Sequence, residues 1–137
     1  MKIYFSGSIR GGRDRVDVYR AVIDFLKLDH VVLTEHVGDV DFLDSESGMD
    51  DASIRDRDVA WIREADLVVA DCSIPSLGVG YELACAECFD KPVILLHDPD
   101  VSDLSAMISG DGYFSDVNYY HNADEAVAIL RQKLAAL

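Results

Sequence analysis

Short apolar runs recur along the chain, separated by longer stretches in which apolar and polar residues mix. Continuous apolar runs such as DLVVA at residues 66–70 are typical of strands that are buried on both faces of a parallel sheet. The pattern predicts five strands, the last of them more exposed than the others. They are placed at residues 2–6, 30–34, 66–70, 93–96 and 114–120.

The stretches between the strands show helical periodicity. Val16, Tyr19, Ile23 and Leu26 recur at helical spacing with charges between them. Helices are predicted at residues 16–26 and 53–64, in the segment that ends at residue 89, and at residues 102–108 and 123–137. Strands that alternate with helices predict a single α/β domain over residues 1–137. We expect a three-layer sandwich around a five-stranded, mainly parallel sheet of flavodoxin-like or Rossmann-like order.

One acidic segment, residues 37–51, fits neither pattern. It contains Gly38 and Gly48 and has no clean apolar period. We expect a long mobile loop there, and loops of this length in compact domains often serve as lids or binding loops.

The charge balance of the chain limits its partners. Acidic residues number 26 against 12 basic ones, which gives a formal net charge of -14. A field of that sign repels nucleic acid polymers and anionic membrane surfaces, although local donors can still bind a small phosphorylated ligand. The excess of aspartate over lysine also suits a salt-rich cytoplasm. No apolar run approaches the ~20 residues that span a membrane, so a cytoplasmic location is expected.

The three cysteines are Cys72, Cys85 and Cys88. An odd number without an extracellular context argues against disulfides. Cys85 and Cys88 form a C-x-x-C motif, but it falls within a predicted helix and no second pair of ligands lies at zinc-finger spacing. We therefore expect the cysteines to be small buried hydrophobic residues.

The loops that follow the strands hold the candidate functional residues, because ligands of open α/β sheets bind beyond the carboxyl ends of the strands. The first loop, residues 7–12, offers backbone amides, the Ser8 hydroxyl and the Arg10 guanidinium at a predicted helix N-terminus. This combination suits a phosphate. The spacing matches neither the nucleoside triphosphate motif nor the dinucleotide motif, and the glycines are as readily explained as simple turn residues.

The loop after the third strand, PSLGVGYELACA at residues 75–86, predicts a glycine-bearing turn and a helix whose first turn carries Glu82. A helix dipole stabilises the charged form of a carboxylate near the helix N-terminus. Glu82 is therefore either an ordinary N-terminal helix residue or an ionised group at a ligand crevice, where it would act as a nucleophile or stabilise a developing cation. Asp58, on the preceding helix, is either solvated or paired with Glu82. Cleavage of glycosidic bonds with retention uses such pairs, about 5 Å apart.

With these residues assembled, the sequence resembles the 2'-deoxynucleoside 5'-phosphate N-hydrolases of the nucleoside 2-deoxyribosyltransferase superfamily. The matching segments are YFSGSIRGGR (4–13), VLTEHV (32–37), RDVAWIREADLVVAD (57–71), PSLGVGYELACA (75–86) and LSAMI (104–108). They cover most of the chain in matching order. The resemblance implies hydrolysis of the N-glycosidic bond of deoxynucleoside monophosphates, with release of the base and 2-deoxyribose 5-phosphate.

The resemblance also implies chemical roles for three residues. Glu82 matches the nucleophile that attacks the anomeric carbon and forms a covalent deoxyribosyl intermediate. Asp58 matches the partner carboxylate that helps to protonate the departing base. Tyr4 matches a residue beside the sugar that favours a 2'-deoxy sugar over a ribose. This chemistry requires neither a metal nor another cofactor.

Substrate-binding positions follow from the same resemblance. Ser105 matches a serine that reaches the phosphate of the neighbouring subunit, which implies a homodimer with two shared sites. His36 either lines the base pocket or is a structural residue at a strand end. The phosphate-binding positions are Ser8, Ile9, Arg10, Gly11 and Ser76, with Gly78 and Gly80 shaping the turn.

Three alternative functions remain open. A nucleoside 2-deoxyribosyltransferase uses the same glutamate but passes the sugar to a second base; Ser8, Arg10 and Ser76 argue against it, since a free nucleoside has no phosphate. A ribonucleotide hydrolase, such as those that act on CMP, tends to lack the hydroxyl at the position of Tyr4. A non-catalytic nucleotide-binding module would need neither of the two carboxylates.

Overall fold

The computed structural model describes residues 1–8, 15–39, 46 and 48–137. Its centre is a sheet of five strands. They are β1 (Lys2–Ser6), β2 (Val31–Val32), β3 (Leu67–Asp71), β4 (Val93–His97) and β5 (Val117–Tyr119). All neighbouring strands are parallel, in the order β2-β1-β3-β4-β5. This flavodoxin-like order confirms the predicted α/β class.

Helices cover both faces of the sheet. They are α1 (Val16–Leu26), α2 (Asp51–Glu64), α3 (Leu77–Cys88), α4 (Ala106–Ser109) and α5 (Ala123–Ala135), with a 3-10 helix at Glu35–Gly38. Successive residues of β1 point to opposite faces. Ile3 and Phe5 pack with residues of α1 and α5, whereas Tyr4 packs with residues of α2 and α3. The result is the expected three-layer arrangement.

Side-chain caps fix where three of the helices begin. Each capping residue accepts a hydrogen bond from the backbone N–H three residues further on: Asp50 before α2 at 2.7 Å, Ser76 before α3 at 3.3 Å and Asn122 before α5 at 2.9 Å. These bonds satisfy N–H groups that have no partner inside the helix. The capping residues therefore determine where the N-terminal ends of α2 and α3 lie.

Several predicted elements are shorter in the structure than the sequence suggested, among them the fifth strand, predicted at 114–120 and observed at Val117–Tyr119. The strand predicted at 30–34 ends at Val32, because the Thr34 hydroxyl bonds to the backbone of Phe5 instead, accepting at 2.9 Å and donating at 2.7 Å. The helix predicted from residue 102 begins only at Ala106. Ser102 lies outside the helix, and its hydroxyl donates a 2.6 Å hydrogen bond to the carbonyl of Ser73, which follows β3.

The cysteines are free thiols, but they are not the uniformly buried residues that we expected. Cys72 and Cys85 are half-buried, and Cys88 is exposed on the outer face of the last turn of α3. The helical period of α3 turns Cys88 away from the sheet, and this corrects the prediction. In the part of the chain that the structure describes, none of the helices has the length and apolar character needed to cross a membrane.

Candidate active site

A small cavity lies at the carboxyl ends of β1 and β3, where the strand order reverses. In this fold class, that switch point is where ligands bind. Four residues that the sequence singled out line the cavity together: Tyr4, His36, Asp58 and Glu82. The remaining lining residues are Phe5, Gly7, Thr34 and Val37.

Glu82 reaches the cavity from the second turn of α3, as the sixth residue of that helix. The Ser6 hydroxyl, at the end of β1, donates a 2.5 Å hydrogen bond to its Oε2 atom. Burial raises the pKa of Glu82 to about 7, and the nearby Asp58 adds to the increase. The expectation that a first-turn position keeps this carboxylate ionised is therefore wrong. The helix dipole acts mainly within the first turn, and desolvation outweighs it here.

Asp58 faces the cavity from α2 and is half-buried, so it is not the solvated helix residue of the simpler interpretation. Its Oδ1 atom accepts a hydrogen bond from Nε of Arg57 at 3.0 Å. Burial raises the pKa of Asp58, and the Arg57 guanidinium opposes that increase. The cavity therefore holds two carboxyl groups with raised proton affinity, the property that lets one of such a pair carry a proton near neutral pH.

Tyr4 lines the cavity together with the two carboxyl groups, and only 2% of its surface is exposed. Its hydroxyl interacts with the Glu82 carboxyl. Burial, together with the charges of Glu82 and Asp58, raises the pKa of Tyr4 well above its ordinary value. The hydroxyl therefore stays protonated and can act as a hydrogen-bond donor inside the cavity.

His36 forms another wall of the cavity from the 3-10 helix that follows β2. Its ring packs at a tilt against Trp61 of α2, with the ring centroids 5.6 Å apart. Burial lowers the pKa of His36, and the positive charge of Arg57 lowers it further. The imidazole is therefore mostly neutral at pH 7 and presents an aromatic, uncharged surface.

The two glycines of the third loop lie inside α3, where they occupy its second and fourth positions. The prediction that Gly78 and Gly80 shape a turn is therefore wrong, because Ser76 already caps the helix. A Cβ atom at Gly80 would meet nothing within 4 Å, and one at Gly78 would meet only the Ser76 hydroxyl at 3.8 Å. Packing thus does not require glycine at these positions. Their effect is to leave open space beside the N–H groups at the start of the helix.

The first loop is described only at its beginning. Ser8 is fully buried, and its backbone N–H donates to the Tyr19 hydroxyl at 3.0 Å. A Cβ atom at Gly7 would come within 3.0 Å of the Tyr19 ring, so only glycine lets the backbone pass so close. Three predicted phosphate-binding positions lie outside the described residues: Ile9, Arg10 and Gly11.

A second and much larger depression lies on the other side of α3. This groove of about 810 Å³ runs between α3 and α4 and is lined by Ser76, Gly80 and Ser105 among mainly apolar residues. Ser105 is exposed and caps α4 by accepting a hydrogen bond from the Met107 N–H at 3.3 Å. Within one chain, Ser105 therefore lines the groove and does not join the cavity that holds Glu82.

Sequence patterns did not reveal several residues that shape the cavity. Ser6 follows an apolar strand without any motif of its own, and only the pairing of β1 with β3 brings it to Glu82. Arg57 contacts Asp58 on one side and Glu46 on the other, at 2.9 and 2.5 Å. Thus the acidic segment reaches the site through Glu46. Nearly half of the predicted mobile loop, residues 40–45 and 47, lies outside the described residues.

Among the described residues, one group of side chains has the composition of a metal site. It consists of Asp98, Asp100 and His121, whose ligand atoms lie within 4.8 Å of one another. Asp98 already forms an ion pair with Arg15 at 2.9 Å. None of the three lines the cavity with Glu82.

Comparisons with known proteins agree with this arrangement. The family model described as nucleoside 2-deoxyribosyltransferase matches residues 3–122. The chain is 41% identical over 145 aligned residues to the 5-hydroxymethyl-dUMP N-hydrolase of Esox lucius, covering 100% of this chain and 98% of the relative. It is 43% identical over 128 residues to the enzyme of the same name from Mus musculus, covering 91% and 74%. A Trichoplax adhaerens relative, named provisionally as a 2'-deoxynucleoside 5'-phosphate N-hydrolase, is 47% identical over 86% of this chain and 80% of its own length.

Solved structures share the fold at lower sequence identity. The CMP N-glycosidase of Clostridium botulinum superposes with a TM-score of 0.68 at 20% identity, covering 98% of this chain and 99% of the other. A 2-deoxyribosyltransferase from Leishmania mexicana gives a TM-score of 0.62 at 18% identity, covering 96% and 97%. These likenesses establish the architecture.

Proposed function

The chain belongs to the nucleoside 2-deoxyribosyltransferase family, and we propose that it hydrolyses the N-glycosidic bond of 2'-deoxynucleoside 5'-monophosphates. The products are the free base and 2-deoxyribose 5-phosphate. The observation that carries this proposal is the meeting of Glu82 and Asp58 with Tyr4 in one cavity at the switch point of the sheet. The names of the relatives with 41–47% identity support the same reaction.

In the first step, a carboxylate oxygen of Glu82 forms a bond to the anomeric carbon while the bond from that carbon to the base nitrogen breaks. The bonding electron pair leaves with the base, which takes a proton from Asp58. Ser6 orients the Glu82 carboxylate through its 2.5 Å hydrogen bond. The half-buried Glu82 carboxylate favours the positive charge that develops on the sugar, because opposite charges attract strongly where water is scarce.

In the second step, water attacks the anomeric carbon of the glycosyl ester. Asp58, now ionised, accepts a proton from the water, and the bond between the sugar and Glu82 breaks to regenerate the carboxylate. This exchange of roles between acid and base is the usual logic of retaining glycosidases. Together, the two steps return both carboxyl groups to their starting states.

The phosphate group of the substrate is assigned to the N-terminal end of α3 and the first loop. Ser76 caps that helix end, and the two glycines leave open space beside it. Helix N-termini of this kind bind anions through their N–H groups. The roles of Ser8, Ile9, Arg10 and Gly11 rest on the resemblance of their motif to the family.

The active form is proposed to be a homodimer in which Ser105 reaches the phosphate of the neighbouring subunit. Two apolar side chains on either side of the groove are strongly exposed in the single chain, Leu77 at 96% and Met107 at 81%. Exposed apolar surface of this kind marks an interface. The occupant to which the proposal commits is a second copy of this chain, because Ser105 lies within the same groove.

The experiment that tests the function is a panel of substrates assayed by chromatography of the released base. Each 5'-deoxynucleotide should release its base, and the matching deoxynucleoside without phosphate should react much more slowly. Each charge-assisted hydrogen bond to the phosphate contributes about 1.5–3 kcal/mol. Equal turnover with and without the phosphate would contradict the site.

Two further arms of the panel separate related activities. A second free base added to the reaction should not be consumed; the appearance of a new nucleotide would favour a transferase. CMP and other ribonucleotides should be poorer substrates than their deoxy counterparts, since Tyr4 occupies the cavity floor beside Glu82. Faster release from CMP would favour a ribonucleotide hydrolase.

A further inference from the structure

Arg57 lies between two carboxylates, only one of which belongs to the proposed chemistry. Its Nη2 atom is 2.9 Å from Oδ1 of Asp58 and 2.5 Å from Oε2 of Glu46. Its Nε atom donates a second bond to the same Oδ1 atom of Asp58, at 3.0 Å. Two nitrogen atoms of the guanidinium therefore contact one oxygen of Asp58, and Glu46 contacts the guanidinium from the other side.

This triad is mostly shielded from solvent. The side chains of Arg57, Asp58 and Glu46 are only 22%, 16% and 11% exposed. Ion pairs at an exposed surface are weakened by water and salt, whereas partly buried pairs are screened much less. The contacts are therefore of the kind that can fix a side chain in one geometry.

Trp61 and His36 fix the orientation of the guanidinium further. The Arg57 guanidinium carbon lies 4.7 Å from the centroid of the Trp61 ring, one turn further along α2. The Nη2 atom is also 3.5 Å from Nε2 of His36, which lines the cavity. Both Nε and Nη2 of Arg57 contact Oδ1 of Asp58. In the proposed scheme, Oδ2 is therefore the oxygen that exchanges a proton with the base.

We propose that Arg57 is a positioning residue for Asp58, and that Glu46 anchors Arg57 from the acidic segment, so that this segment contributes to the reaction. The inference rests on the proposed role of Asp58 as the acid that protonates the departing base. It adds two residues to the site that do not touch the sugar or the phosphate in this scheme. It also gives the acidic segment a defined task.

The electrostatic influence of Glu46 extends to both catalytic carboxyl groups. Its negative charge raises the pKa of Asp58 and of Glu82, whereas the positive charge of Arg57 lowers the pKa of Asp58. The titratable and charged groups that face Asp58 come from five parts of the chain. They are Tyr4 of β1, His36 of the 3-10 helix, Glu46 of the acidic segment, Arg57 of α2 and Glu82 of α3.

A double-mutant cycle on the full chain tests the proposal, with Glu46→Gln, Arg57→Gln and the double variant assayed on the best deoxynucleotide. Arg57→Gln should lower kcat by about 100-fold, the scale expected when a catalytic group is misplaced by an ångström. Glu46→Gln should lower kcat by roughly tenfold, and the double variant should be no worse than Arg57→Gln, because coupled residues are not additive. KM should change little in all three.

Two further readouts separate positioning from charge alone. Arg57→Lys keeps the positive charge but loses the paired nitrogen donors of the guanidinium, so its kcat should remain close to that of Arg57→Gln. Glu46→Gln should move the acid limb of the kcat/KM profile to lower pH, since removing its charge lowers the pKa of Glu82. Arg63→Gln, which removes an exposed guanidinium from the same helix, is the matched control and should retain full activity.

Three outcomes would overturn the inference: additive losses in the double variant, full activity of Arg57→Lys, or an unshifted pH profile in Glu46→Gln. The Glu46 variant keeps the test valid if Arg57→Gln fails to fold. Failure of the proposed function would look different, because the wild-type chain itself would then release no base. An active wild type with unaffected Glu46 and Arg57 variants would refute only the present inference.

Discussion

The two sides of helix α3 present opposite environments. On one side, Glu82 faces a small cavity that it shares with Asp58 and Tyr4. On the other side, the groove of about 810 Å³ is lined mainly by apolar residues. Its polar residues are Ser76, Glu87, Asp103, Ser105 and Asp111. One helix of twelve residues therefore separates the proposed chemical site from the proposed recognition surface.

The difference shows how burial is used on each side. Burial of the Glu82 carboxyl in the cavity raises its pKa to about 7, so that the group can be protonated or ionised near neutral pH. The groove leaves apolar groups uncovered, with Leu77 and Met107 almost fully exposed. Chemistry is thus assigned to the side that is closed in one chain, and assembly to the side that a second chain would close.

The largest expected effect comes from removing the nucleophile on the cavity side. Glu82→Gln should lower the rate of base release by on the order of 10³-fold or more, as loss of a catalytic nucleophile does in other enzymes. Initial rates on a deoxynucleotide measure the loss, with circular dichroism as a control for folding. Activity within tenfold of the wild type would remove Glu82 from its assigned role.

A smaller loss is expected from the partner carboxylate. Asp58→Asn should slow base release by about 100-fold, within the range for a general acid. A 2-deoxyriboside 5-phosphate with a nitrophenolate leaving group needs no proton, so the variant should regain most of its rate on that substrate. Glu82→Gln should remain inactive on it. Equal losses on both substrates would show that Asp58 is not the acid.

The groove side is tested by placing a charge on its apolar rim. Met107→Glu should convert the proposed dimer into a monomer in sedimentation experiments, because an isolated charge is costly to bury. Base release should fall by roughly tenfold as the partner's contact with the phosphate is lost, at about 1.5 kcal/mol for one such bond. Leu28→Glu, at an exposed apolar position outside the groove, is the control and should leave the assembly intact. A dimer that survives the Met107 change would place the interface elsewhere.

The smallest effect concerns stability. The pKa of Glu82 is higher in the folded chain than its ordinary 4.5, so the protonated carboxyl favours folding. This contribution is complete below the ordinary value and is lost as the pH rises through about 7. The Tm of Glu82→Gln should therefore gain a few degrees relative to the wild type between acidic and mildly alkaline pH. A difference that does not change with pH would mean that burial does not raise this pKa.

Much of the fold could be predicted because its signals are local. The runs that became β1, β3 and β4 are continuous and apolar, and the spacing of Val16 to Leu26 is that of a helix. The short β2 could not be predicted in length, since a contact across 29 residues, from the Thr34 hydroxyl to the Phe5 backbone, ends it. A side-chain hydrogen bond that takes the place of backbone bonds between strands leaves no periodic pattern in the sequence.

The candidate site was predictable in its residues but not in its electrostatics. The family resemblance picked out Tyr4, Asp58 and Glu82, and the fold brings them together. Their proton affinities depend on burial and on neighbours that are distant in sequence, such as Ser6, which lies 76 residues before Glu82. For the same reason, the helix-dipole argument from sequence misjudged Glu82, because it could not weigh desolvation.

The most direct test of the central claim is to trap the sugar on the enzyme. A 2'-fluoroarabino deoxynucleotide analogue carries an electronegative fluorine that destabilises the positive charge on the sugar and slows loss of the covalent intermediate. Digestion and mass spectrometry should find one fluorosugar phosphate on the peptide that contains Glu82, with one equivalent of base released. Attachment to any other residue, or release of base from the analogue by the Glu82→Gln variant at the wild-type rate, would contradict the account.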